Sequence, residues 1–226
     1  MMHLACVNMK LYFVRHSHSE ANLKNVFSNR DESLALTERG SHEAAALADD
    51  FVGKSIDRVF TSPLLRARET AAVLGEATGA PVEVRPELCE YDMGELEGRS
   101  DPESWALYWA ISDDWLKHGS WHRKPPGGEN LFEIRNRFLR FFDALRTEQS
   151  NASYVLVGHG GLYRCVLPFV LANVDFSFTV NNNLDHSEYV IAERRGASLV
   201  CTEWAGREVR QGEWLQNLTS TIDDAK

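Results

Sequence analysis

Apolar residues in this chain gather into short runs separated by longer stretches of helical spacing. Lys10-Leu11-Tyr12-Phe13-Val14 and Ser153-Tyr154-Val155-Leu156-Val157 each read as a buried strand, and Arg58-Val59-Phe60-Thr61 reads as a strand. Pro81 to Arg85 reads as another. Ser41 to Val52 sets its alanines, Leu47 and Phe51 at helical intervals, and Glu129 to Arg146 does so with Leu131, Ile134, Phe138, Phe141, Phe142 and Leu145. Ser62-Pro63 predicts a helix start, because a proline in the first turn sacrifices only an N–H that has no partner there; Gly79 ends that helix. A further helix follows Gly158-His159-Gly160-Gly161, and Pro168 is expected to kink or end it. Glu188 to Ala192 and Ala197 to Thr202 read as a closing hairpin around Arg194-Arg195-Gly196. Strands alternating with helices predict an α/β layer with a mostly parallel sheet. Residues 99–125 break the rhythm with Trp105, Trp109, Trp115 and Trp121, and read as a helical, Trp-rich lid insertion over the sheet.

Composition narrows the function classes. The 226 residues, 43% hydrophobic and 25% charged, suit a globular chain, and a prior of roughly 150 residues per domain allows one domain over 10–226. Residues 1–9 read as a loose leader, and the four cysteines (Cys6, Cys89, Cys165, Cys201), without CxxC spacing, read as reduced thiols of a cytoplasmic protein. No apolar run approaches the ~18 residues that span a bilayer. With 24 Lys+Arg against 33 Asp+Glu, the net charge of −9 disfavours a nucleic-acid or anionic-membrane surface. Any phosphate site must therefore be a local knot of cations.

Two histidines occupy matching places: His16 follows one predicted strand and His159 another, each just before a helix. Ligands of open α/β sheets sit beyond the carboxyl ends of strands, where helix N-termini favour anions. Arg15 adjoins His16, and Arg66 lies early in the helix opened by Ser62-Pro63. His118 and His122 suggest a metal pair, but Gly119 intervenes and no carboxylate completes it, so no metal is expected.

The segment Val14-Arg15-His16-Ser17-His18-Ser19-Glu20-Ala21-Asn22 resembles the R-H-G-x-S/T-x-x-N opening of the histidine phosphatase superfamily, of which phosphoglycerate mutase is the best-known branch. The likeness continues through Leu36-Thr37-Glu38-Arg39-Gly40, Ser62-Pro63-Leu64-Leu65-Arg66-Ala67, Leu88-Cys89-Glu90 to Gly98, Gly127-Gly128-Glu129-Asn130 and Gly158-His159-Gly160. Six blocks in order make chance agreement remote. One position departs: Ser17 stands where the family has glycine, keeping the main-chain carbonyl but adding a side chain.

The resemblance implies a three-layer α/β/α sandwich of the phosphoglycerate mutase type and a mechanism without cofactor. His16 would attack phosphorus through Nε2 to form a phosphohistidine, with Nδ1–H held by a main-chain carbonyl. Arg15 and Arg66 would hold the equatorial oxygens, His159 would donate to the same group as imidazolium, and Glu90 would serve as general acid and then base. Asn22, His18 and Ser28 are the expected substrate contacts. Lys117, Arg123 and Lys124 in the lid are further candidates to reach an anion. The substrate would be a small phosphomonoester, with no nucleic-acid or membrane partner. Glu90 is followed by Tyr91-Asp92-Met93-Gly94 rather than the E-R-H-Y-G of mutases, so a phosphatase is favoured over a mutase, and both over a non-catalytic phosphate-binding scaffold.

Overall fold

The computed structural model describes residues 9–147 and 151–209. The leader residues 1–8, Cys6 with them, and the chain beyond 209 lie outside the described residues. Chain order runs β1 (Lys10–Arg15), α1 (Glu20–Lys24), α2 (Glu38–Asp49), β2 (Arg58–Thr61), α3 (Leu65–Thr78), β3 (Val82–Val84), α4 (Pro102–Leu116), α5 (Leu131–Thr147), β4 (Ser153–Gly158), α6 (Gly160–Val170), α7 (Phe176–Asn181), β5 (Tyr189–Arg195), β6 (Ser198–Trp204) and β7 (Arg207–Glu208). All seven strands join one sheet in the order β3-β2-β4-β1-β5-β6-β7. Its first four strands are parallel, and β5 to β7 extend it antiparallel.

Alternation along β1 explains the layering. Tyr12 and Val14 point to one face, where they meet Leu47 and Phe51 near α2 and Ala67, Ala71 and Leu74 of α3. Leu11 and Phe13 point to the other, against Phe138 and Phe142 of α5 and Leu162 and Tyr163 of α6. Both strand faces are covered, hence the continuous apolar runs. The result is the expected α/β/α sandwich with a parallel centre. Burying each such Leu or Phe contributes about 2 kcal/mol. Met9, assigned by sequence to the leader, is 1% exposed and belongs to the second of these cores.

Several boundaries differ from expectation for local reasons. α3 begins at Leu65, with Leu64 as its extended cap, so Ser62-Pro63 forms the turn before the helix rather than its first turn. Pro168 sits inside α6, which continues two residues to Val170. The lid is helical only over Pro102–Leu116, where Asp101 caps Ser104 N–H and Pro102 opens the helix. His118 and His122 therefore lie beyond α4. The short α7, capped by Asp175, and the two-residue β7 carry too little periodic signal to be read from sequence. No helix among the described residues is long and apolar enough to cross a membrane.

Candidate active site

Parallel pairing of β1 with β4 puts Arg15 opposite Gly158, one residue short of each histidine. His16 N–H then donates to Gly158 O at 3.0 Å, and the two imidazoles face each other with centroids 5.0 Å apart at 64°. Both rings are buried. His16 Nδ1 lies 2.7 Å from Ser17 O, and a carbonyl only accepts, so the proton is on Nδ1 and Nε2 carries the lone pair. Arg66 Nε donates to that Nε2 at 3.3 Å. Burial first, then the guanidinium charges of Arg66 and Arg15, hold His16 well below its ordinary pKa. That environment favours the neutral ring.

Arg66, on the first turn of α3, also donates through Nη1 to Ser28 O and Ser28 Oγ, both at 3.1 Å. Ser28 thus reaches the site by steadying this arginine. Arg15 Nη1 donates to Leu184 O at 2.6 Å, and its buried Nε has no protein partner. His159 Nε2 stands 2.8 Å from Ser62 Oγ while Nδ1 is unpartnered. Burial, then Arg66, His16 and Arg15, holds His159 well below the ordinary histidine pKa, which favours the neutral ring over the imidazolium expected from sequence. A neutral imidazole still offers one N–H, and an arriving dianion favours the second proton.

Glu90 follows a 3₁₀ turn at Pro86–Leu88. Its carboxyl accepts from Tyr91 N–H at 3.1 Å and from Gly161 N–H at 3.0 Å. Those bonds favour the anion, yet burial outweighs them and raises its pKa. The approach requires glycine: a Cβ on Gly161 would lie 2.7 Å from Glu90 Oε2. Gly40 has a similar cause, since a Cβ there would stand 1.8 Å from His18 O where α2 crosses the catalytic loop.

These groups line a cavity of about 570 Å³ with Asn22, Phe27, Trp105, Tyr108, Trp109 and Arg164. Asn22 Oδ1 is engaged by Ser19 N–H and Oγ, leaving its amide nitrogen for a ligand. His18 is not in this cavity. Its main chain is drawn to Glu43 and its ring to Thr37, which places it in an adjoining hollow with His186. Lys117, Arg123 and Lys124 are likewise turned away, paired with Asp113, Asp114 and Glu133. Trp115 and Trp121 pack as lid core, whereas Trp105 and Trp109 form cavity wall.

Sequence reasoning missed Arg164. It lies one helical turn beyond Gly160 on α6, its guanidinium 5.4 Å from the Trp109 ring centroid and Nη2 bonded to Ser112 Oγ at 2.7 Å, with Nε buried and unpartnered. Its spacing from His159 was the available signal. Three guanidiniums around one carboxylate, Arg66 buried and Arg15 and Arg164 half-buried, form the cationic knot that the net charge required.

A histidine phosphatase superfamily (branch 1) family model matches residues 11–206. A protein of Hydrogenobacter thermophilus named putative phosphoserine phosphatase 2 is 31% identical over 161 residues, 70% of this chain and 76% of its own. A 2,3-bisphosphoglycerate-dependent phosphoglycerate mutase of Methylobacterium radiotolerans is 33% identical over 165 residues, 70% of this chain and 76% of its own. In fold, the chain is similar to a mycobacterial glucosyl-3-phosphoglycerate phosphatase, with TM-score 0.74 at 21% identity, covering 88% of this chain and 100% of that one. Motif order, paired imidazoles and matched sequence converge: this chain belongs to the histidine phosphatase superfamily, branch 1.

Proposed function

We propose that this chain is a phosphomonoester hydrolase that works through a phosphohistidine on His16. The observation that carries the reading is the His16 ring itself, with Nδ1–H tied to Ser17 O and Nε2 exposed to Arg66. The dianion takes the place of that Arg66 contact, its equatorial oxygens held by Arg15 and Arg66. His16 Nε2 attacks in line as the P–O bond to the leaving group breaks, and Glu90 protonates the departing oxygen. Glu90, now a carboxylate, takes a proton from water, which attacks phosphorus and releases His16 and inorganic phosphate. His159 donates to the phosphoryl oxygens throughout, and Asn22 contacts phosphate or substrate.

The leaving-group side is supported as roomy and amphipathic: Trp105, Tyr108 and Trp109 give it aromatic wall, and Arg164 a cation. A small-molecule ester bearing a ring or an acceptor group fits that lining. His18 in the adjoining hollow touches only a substrate long enough to extend there. The unpaired thiols of Cys89, Cys165 and Cys201 accord with a cytoplasmic setting.

Rapid acid-free quenching with a radiolabelled aryl phosphomonoester is expected to trap acid-labile phosphate on His16. His16→Ala is expected to abolish turnover with the fold retained, and full hydrolysis by that variant overturns the assignment. Phosphoryl transfer of the mutase type is the second reading, favoured by the Methylobacterium relative. Conversion of 3-phosphoglycerate to its 2-isomer with a bisphosphoglycerate primer would establish it.

A further inference from the structure

Residues 184–188 lie against the end of β1 and grip it from several sides. Arg15 N–H donates to Glu188 O at 3.0 Å, and Ser187 N–H donates back to Arg15 O at 3.2 Å. Arg15 Nη1 is fastened to Leu184 O. Ser17 Oγ and Ser187 Oγ are 2.7 Å apart, so the side chain that replaces the family glycine serves as a strut to this loop. Ser187 holds a left-handed φ of 63° while making that contact. The last grip is on the guanidinium: Arg15 Nη2 lies 3.0 Å from His186 Nε2. A guanidinium has donors only, so Nε2 must accept and the ring must be neutral with its proton on Nδ1.

We propose that His186 is a positioning residue of this enzyme, a neutral acceptor that sets the angle of the Arg15 guanidinium for capture of the phosphoryl group. With one N–H each of Nη1 and Nη2 held by the loop, Arg15 keeps its buried, unpartnered Nε–H and the second N–H of each terminal nitrogen for a ligand. The ring is itself steadied edge-on by His18, at 5.1 Å and 78°. Charged and titratable groups face it from the end of β1 and the loop after it (Arg15, His16, His18), from α2 (Arg39, Glu43) and from its own loop (Asp185). Burial and Arg15 outweigh Glu43 and keep His186 down at about 4, so the acceptor persists across the working range. The inference rests on the reading of this cavity as a phosphomonoester site.

The test measures inorganic phosphate binding by calorimetry, and kcat and KM with p-nitrophenyl phosphate, for the unaltered protein, His186→Phe and His186→Asn. Phe keeps ring packing without an acceptor; Asn keeps an acceptor carbonyl. His186→Phe is expected to weaken phosphate binding and raise KM about tenfold, a displaced guanidinium being the cause, with His186→Asn recovering most of the loss. A Phe variant within about twofold of the unaltered protein, or an Asn variant as weak as Phe, overturns the role. Nitrogen NMR of labelled histidine in the unaltered protein reports the tautomer without any substitution, and a proton on His186 Nε2 overturns it too. If the unaltered protein binds no phosphate, the functional reading itself fails; phosphate binding indifferent to His186 removes the positioning role alone.

Discussion

Two titrations in one cavity run in opposite directions, and under the proposed mechanism they together set the pH range of catalysis. His16 must be neutral to attack, and burial with two guanidiniums lowers its pKa well below 6.5, so the acid limb of kcat/KM lies well below that value. Glu90 must be protonated to assist departure, and burial raises its pKa above 4.5, so rate falls as pH rises through that raised value. Glu90→Gln is expected to erase the alkaline limb and to slow alkyl esters more than aryl ones, whose leaving groups depart unaided. A pH–rate profile unchanged in the variant would sink the assignment of Glu90. At this scale the sequence was informative where chemistry dictates residue type. His16, Arg15, Arg66, Glu90 and His159 were all legible, and all line the cavity. His186 was not, because its contact with Arg15 spans 171 residues and no local pattern announces it.

Elements convert those residues into geometry, and the N-terminus of α6 is where they meet. Gly160 packs on the Arg15 side chain, Gly161 on Glu90, and His159 caps the helix. The structure thereby gives the glycine pair after His159 a steric cause. Gly161→Ala must push either Glu90 or the helix aside, and overpacking of this kind costs about 1–3 kcal/mol. The expected outcome is a lower denaturation temperature and a kcat reduced about tenfold or more, since displacement of an acid is amplified in rate. Normal kcat with normal stability would contradict the contact. Strands and long helices were readable from periodicity; the lid was read too long because tryptophan content does not distinguish α4 from the irregular segment after it. Of its basic residues, Lys124 is held by Glu133 from another element, whereas Lys117 and Arg123 are taken by Asp113 and Asp114 of α4 itself.

For the whole molecule the tension is between a charge of −9 and a site that takes anions. Long-range repulsion slows encounter, and it is screened at a Debye length of ~10 Å in 0.1 M salt, whereas contacts inside the cavity are screened far less. kcat/KM for a dianionic ester is therefore expected to rise by about twofold from low ionic strength to about 0.1 M. A steady decline over that range would mean that the buried arginines dominate the outer field as well.

The junction of β1 with β4 has one more implication. It unites stretches far apart in the primary structure, so severing the segment between α4 and α5 would leave His16, Arg15, Arg66 and Glu90 on one fragment, and His159 with Arg164 and the α6 glycines on the other. Under the proposed mechanism each fragment alone is expected to be chemically mute, with released phosphate a signal that the two have reassembled.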